Sequence, residues 1–115
     1  MTGKFETNEK RLVALLTSAP GSLTIQRGDD EMEIELAAID GLDAAQVGYA
    51  VDPEGNSLVG PGGWQEEWRV IGYDADLGDP VFVDLSDDQL PVYTAMHGAG
   101  TWDPDQLAPA LDGFV

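Results

Sequence analysis

The sequence predicts an α+β fold: a twisted antiparallel sheet of about five or six strands packed against an N-terminal and a C-terminal helix, in one domain spanning residues 1–115. Three observations carry this expectation. Short apolar runs of strand character recur with turn residues between them and no helix-length spacer, which forces antiparallel neighbours. Helical apolar spacing is concentrated near the two ends of the chain. At 115 residues, 43% of them hydrophobic, the chain can bury one core but has no room for a comfortable second.

The first segment, Phe5 to Thr17, places Leu12, Val13, Leu15 and Leu16 near helical spacing, and Ala19-Pro20-Gly21 stops it. Ser22 to Gln26 then alternates in the strand manner. The polar turn Arg27-Gly-Asp-Asp30 follows, and Met32 to Leu36 alternates again. These two strands predict a hairpin with one wet face, marked by Glu33 and Glu35. Asp40 to Gln46 reads either as a short capped helix or as a loop. Val47 to Val51 reads as a strand ended by the turn Asp52-Pro-Glu-Gly-Asn56, with Ser57 to Val59 as a return partner. Gly60 to Gly63 reads as an irregular loop.

Three further strands are predicted at Trp68 to Tyr73, Val81 to Leu85 and Val92 to Met96. Pro80 and Pro91 stand at strand starts, where a missing N–H costs least. Alternation puts Val81, Val83 and Leu85 on one face, with Phe82 and Asp84 on the other. Asp103-Pro104 would open a last helix as N-cap and first helical residue, with Gln106 completing a capping box. Leu107, Ala108, Leu111 and Phe114 supply its apolar stripe. Pro109 is discordant, since inside a helix it removes a hydrogen bond and kinks the chain, so the expectation is either a bent helix or a single turn before Pro109 and a second short helix after it.

The charge is lopsided. There are 22 acidic and 5 basic residues, for a formal net charge of -17, and from Gly28 onward Arg69 stands alone against 20 carboxylates. Such a surface repels phosphate backbones and anionic lipid, so nucleic acid and membrane are disfavoured as partners, and cationic proteins are attracted instead. Solubility or a salt-rich cytoplasm accounts for acidity equally well, because charge alone does not determine fold or partner. The absence of cysteine removes disulfides, thiolate chemistry and Cys-based zinc sites. No apolar signal core opens the sequence, and no apolar run approaches the roughly 20 residues that span a bilayer. A cytoplasmic location is the expectation.

Catalytic constellations are thin. His97 is the only histidine, and in Met96-His-Gly-Ala-Gly100 its expected role is to fix a loop by hydrogen bonding. No G-x-S-x-G elbow supports a Ser-His-Asp arrangement. Asp74-Ala-Asp-Leu-Gly-Asp79 opens like a calcium loop, but its glycine comes one place early and Leu85 stands where the pattern needs glutamate. A turn between strands is the expected reading. Glu66-Glu67 and Asp87-Asp88 are paired carboxylates that read as solvated loop charges. Trp68, at the head of a strand, is expected in the core. Trp64 and Trp102 are the better candidates for partially exposed anchors. No cofactor and no metal site are implied, and the chain is expected not to be an enzyme. A divalent-dependent hydrolase using Asp74, Asp76 and Asp79 is the enzymatic alternative.

Gly48-Tyr49, Asp52-x-x-Gly55, Trp68-x-Val-Ile-Gly72, Gly78-Asp-Pro-Val-Phe-Val-Asp84, Pro91-Val-Tyr93, His97-Gly98 and Leu107-Ala-x-x-Leu111-x-x-Phe114 occur in an order that resembles the SUKH superfamily of Smi/Knr-like proteins. The resemblance covers about Gly48 to Val115; the N-terminal third is a poorer match, without a clear version of the family's early segment in which a short helix leads into an Asn-Gly turn. It implies an antiparallel sheet packed against helices, no carried-over catalytic residues, and a bacterial immunity protein that binds and neutralises a cognate toxin. The acidity suits a toxin with a cationic surface, such as a nuclease. The contact residues expected on this reading are Glu54, Trp64, Glu66, Glu67, Asp74, Asp76, Asp87 and Asp88. An intracellular scaffold or regulatory adaptor on the same fold is the alternative.

Overall fold

A computed structural model describes residues 6–17, 21–27, 29–37, 41–42, 44–49, 51–54, 56–59, 64–65, 67–76, 78–95 and 104–111. In chain order these form helix α1 (Glu6–Thr17), strands β1 (Ser22–Arg27) and β2 (Asp30–Leu36), a 3-10 turn at Ala44–Gln46, and strands β3 (Trp68–Asp74), β4 (Pro80–Asp84), β5 (Val92–Thr94) and β6 (Asp105–Ala108). All six strands lie in one sheet in sequence order, each antiparallel to its neighbours. The α+β character and the six-stranded antiparallel sheet agree with the pattern of short runs and turns.

Helix α1 forms where the apolar spacing places it. Leu12 and Leu16, one turn apart, are its buried residues, and Glu6 and Glu9 put negative charge in the first turn, where the helix dipole favours it. Lys10 pairs with Glu6 at 3.4 Å, an i,i+4 contact that contributes a few tenths of a kcal/mol. The helix is tied to the sheet by polar contacts as well. Arg69 Nε of β3 lies 3.4 Å from Glu9 Oε1. Asn8 Nδ2 donates to the Leu85 carbonyl at 2.8 Å, and an Arg11 guanidinium nitrogen donates to the Asp88 carbonyl.

The sheet has two differently furnished faces. On the helix side, Leu12 and Leu16 join Met32, Ile34, Leu42, Ile71, Val81, Val83, Leu85, Leu90, Val92 and Leu111 in one buried cluster. On the other side, Trp64, Val70, Phe82 and Ala95 form a second, flanked by Tyr49, Trp68 and Tyr93. The alternation read from Val81 to Leu85 is thereby observed: Phe82 enters the second cluster while its valine neighbours enter the first.

Strand β3 serves both clusters through a bulge. Val70 opposes Phe82, but Gly72 opposes Val81, so Ile71 is the extra residue. Beyond the bulge the alternation is reset, and Asp74 falls beside Ile34 while Tyr73 falls beside Glu35 on the opposite face. Gly72 is required there by close approach: a Cβ would stand 2.2 Å from the Glu35 carbonyl oxygen.

Gln46, only 4% exposed, supports the same strand from the 3-10 turn. Its Nε2 donates to the Val70 and Leu42 carbonyls, both at 2.8 Å, and its Oε1 accepts the Val70 N–H at 2.9 Å. One side-chain amide thus does for Val70 what a neighbouring strand would do, satisfying buried backbone groups that are costly to leave unpaired.

Three expectations are corrected. The C-terminal helix is not formed over 105–108, which pair with β5 as β6. Pro104 and Pro109 bracket only four residues, too few for a stable helix, and a bulge between Val92 and Tyr93 lets both Leu107 and Ala108 pack on the helix-side core. Leu107 and Ala108 are apolar, as the stripe requires, but follow a strand period; Asp103 and Phe114 lie outside the described residues. Val47 to Val51 is not a strand. Gly48 adopts φ +93°, and its N–H donates to the Val51 carbonyl at 2.7 Å, so the chain turns back on itself there. Only isolated bridges join Val47 to Val51 and Val51 to Ser57. Third, Trp64 is 1% exposed and is core rather than an exposed anchor.

Two stability predictions follow from β3. Gly72→Ala is expected to lower unfolding free energy by about 2 kcal/mol in urea denaturation, because backbone must shift to admit the methyl. Gly21→Ala, whose Cβ would meet nothing within 4 Å, serves as the near-neutral control. Gln46→Leu is expected to cost about 2–4 kcal/mol by stranding the Val70 N–H and C=O. A wild-type midpoint in that variant would remove the clamp from the account.

Candidate functional site

The contact residues expected from sequence fall in different places. At the β3–β4 turn, Asp74 is 6% exposed and directed inward, its Oδ1 accepting the Asp76 N–H at 2.8 Å, so it is not the surface group expected. The Asp74 N–H donates to the Asp79 carbonyl and the Gly78 N–H to the Asp74 carbonyl, each at 2.8 Å, which makes the run a hairpin turn, as expected from its spacing. Asp76 remains exposed.

Glu67, Asp87 and Asp88 lie at the other end of the β3–β4 hairpin, about 20 Å away along a seven-residue strand. Glu67 is half-buried and its carbonyl accepts the Leu85 N–H at 2.7 Å. Asp87 Oδ1 accepts the Gln89 N–H at 2.9 Å, and Asp88 Oδ1 accepts from Asn8 at 3.2 Å. These carboxylates shape the loop before β5 and its junction with α1. Buried Leu90, at φ 52°, ends that loop. Glu54 sits exposed on a separate turn, where Asp52 Oδ1 accepts the Glu54 and Asn56 N–H groups at 3.0 and 2.9 Å. Glu66, Trp102 and His97 lie outside the described residues.

Trp64 holds the aromatic cluster together. Its ring lies 5.2 Å from Trp68 in a T-shaped contact, 4.9 Å from Phe82 and 5.5 Å from Tyr49, and its Nε1 donates to the Trp68 carbonyl at 3.2 Å. Such edge and tilted contacts suit the ring quadrupoles, and the buried indole N–H finds an acceptor. Nothing in the flanking Gly62-Gly63 and Glu66-Glu67 announces this burial. The Tyr49 phenol is held above its ordinary value of 10.0, first by burial and then by the nearby Asp79 carboxylate.

A different acidic surface is assembled by the sheet itself. The β1–β2 register pairs Ser22 with Glu35, Thr24 with Glu33 and Gln26 with Glu31, and Glu35 also neighbours Tyr73 of β3. Glu31 and Glu33 are exposed, Glu35 is half-buried, and Tyr73 is 50% exposed. Successive glutamates on one strand face stand about 6.8 Å apart, and none of the residues facing them is basic. The Ala75 N–H donates to the Glu33 carbonyl at 2.9 Å, which sets the turn carrying Asp76 beside this column. The strict alternation Glu31-x-Glu33-x-Glu35 was the sequence signal for it. By contrast, the depression along α1 lined by Glu6, Glu9, Lys10 and Val13 has both glutamates engaged with cations.

Among the described residues, no group of three or more His, Cys, Asp or Glu side chains is placed to hold a metal ion, and no helix is long and apolar enough to cross a membrane. No family model, no curated protein and no solved structure matches the chain.

The Tyr49 environment predicts a pH dependence. A raised folded-state pKa means that the neutral phenol's contribution to stability is fully present below pH 10 and is lost as pH rises through the folded value. Ultraviolet titration should show a phase for Tyr49 that ionises later than free tyrosine. Tyr49→Phe should abolish that late phase, and its persistence would assign the phase to another residue.

Proposed function

We propose that this chain is a protein-binding module that recognises a cationic protein, and that it acts as an immunity protein of the SUKH type by binding and blocking a cognate toxin rather than by catalysis. The observation that carries the reading is the unbalanced column of Glu31, Glu33 and Glu35 on an exposed sheet face. Uncompensated like charges on a rigid strand are complementary to a basic surface and raise its encounter rate. Rigidity matters, because a paired strand backbone fixes the spacing of its carboxylates before a partner arrives. Asp87 and Asp88 are already engaged in shaping a loop, which leaves the strand face as the better contact.

The finer identity draws on the ordered motifs from Gly48 to Phe114 and on the chain's charge of -17. A nuclease toxin fits best, since its groove must attract phosphate and an acidic sheet can occupy the same field. The expected contribution is mainly to association rate, so it is sensitive to salt.

The test is binding of the purified chain to the toxin encoded beside its gene, followed across ionic strength. Association is expected to weaken steeply towards physiological salt, where the screening length is about 8 Å. Glu33→Lys with Glu35→Lys is expected to slow association about tenfold or more while the fold is retained. No binding, together with no protection of intoxicated cells, overturns the reading. A salt-independent affinity overturns its electrostatic part.

A further inference from the structure

The two ends of the sheet are built differently. Strand β6 is four residues long, is bracketed by Pro104 and Pro109, carries Asp105, and meets β5 across a bulge. Each of these features blunts an edge against pairing. Strand β1 has none of them. It runs Ser-Leu-Thr-Ile-Gln-Arg without proline, glycine, bulge or carboxylate, in unbroken register with β2 over six pairs. Among the described residues no strand pairs with its outer side.

The register also fixes which backbone groups face outward. The Leu36 N–H donates to the Gly21 carbonyl at 2.9 Å, which makes that position a hydrogen-bonded pair. Antiparallel pairs alternate, so Leu23, Ile25 and Arg27 direct their N–H and C=O groups to β2. Ser22, Thr24 and Gln26 direct theirs away from the sheet. The side chains of these same three residues lie on the glutamate face and are short or neutral, with Gln26 Nε2 donating to Glu31 Oε1 at 3.1 Å. On the other face, Leu23 and Ile25 are half-buried against the helix-side core.

We propose that β1 is a docking edge that receives an extended segment of a cationic protein partner as a seventh strand, with lysine or arginine at alternate positions over Ser22, Thr24 and Gln26 and apolar residues between them beside Leu23 and Ile25. The inference rests on the proposed function for the partner's positive charge and adds where and how that partner binds. Backbone pairing supplies affinity, and the alternation supplies specificity. The added strand lies two strand spacings from β2, about 9.5 Å, a gap that a lysine and a glutamate side chain together span across the small Ser22 and Thr24. A second copy of this chain is a poor occupant. It brings another formal charge of -17, and its own β1 offers only Arg27 as a cation.

The test uses the purified chain and two synthetic peptides of identical composition, one alternating lysine with valine and one with its lysines in a single block. Nuclear magnetic resonance hydrogen exchange is read at the outward amides. The alternating peptide is expected to slow exchange at Ser22, Thr24 and Gln26 about tenfold, with the block peptide having little effect. Thr24→Pro removes the central outward donor without touching a bond to β2, and is expected to weaken the alternating peptide about tenfold. If that variant does not fold, the wild-type exchange pattern decides alone. Unchanged affinity in folded Thr24→Pro, with binding lost in Glu33→Gln and Glu35→Gln, overturns edge docking and leaves the cationic-partner reading standing. Protection of the same amides without peptide, accompanied by a dimer in sedimentation, also overturns it, because a second copy then holds the edge. Failure of both peptides while the intact toxin binds places the contact elsewhere. Failure of the toxin as well removes the reading on which the inference rests.

Discussion

The bulge at Ile71 is the constraint on which the two cores jointly depend. Before it, Trp68 and Val70 face the aromatic cluster while Arg69 and Ile71 face the helix. After it, Tyr73 and Asp74 would exchange faces if the extra residue were absent. Tyr73 would then enter the helix-side core, and Asp74 would move out beside the glutamates. Gly72 makes the bulge possible, since the β2 backbone passes too close for any side chain. Gln46 secures the strand on the near side by pairing both backbone groups of Val70. Packing on both faces and the exposure of the acidic column therefore follow from a few residues of β3 and its supports.

The same economy explains why so acidic a chain keeps its charge outside. Arg69, the lone cation after residue 27, is held against Glu9 and joins strand to helix instead of neutralising the glutamate face. Carboxylates near the turns accept backbone N–H groups, as Asp52, Asp74, Asp84 and Asp87 each do. That use of aspartate fixes loops that glycine and proline alone would leave loosely specified. Among the described residues, the glutamates of β2 have no such employment in the fold, apart from the contact between Glu31 and Gln26.

Much of the fold was legible because it obeys short periods. The spacing of Leu12 and Leu16 reports α1, and Met32-x-Ile34-x-Leu36 reports the inward face of β2. Val81, Phe82 and Val83 report a strand buried on both sides. What was not legible has no period. Leu107 and Ala108 fit a helical stripe as well as a bulged strand, and Pro109 alone hinted at the difference. The folding back at Gly48 depends on one backbone angle. Trp64 sits among glycines and glutamates, so its burial depends on Trp68 and Phe82 arriving from other strands. The acidic surface is visible as alternation in β2, but the turn carboxylates are denser in sequence and outweigh that signal.

The contrast between the two sheet edges has a consequence for assembly. A molecule with two open strand edges can stack head to tail without limit and grow into a fibre. Here one end is sealed by Pro104, Pro109 and a bulge, so a strand laid along β1 finds no matching site on the far side of the next copy. Edge pairing at β1 would therefore not propagate past a single addition. The asymmetry gives the sheet a polarity: among the described residues only β1 is left unpaired without such blunting, a geometry that disfavours polymerisation.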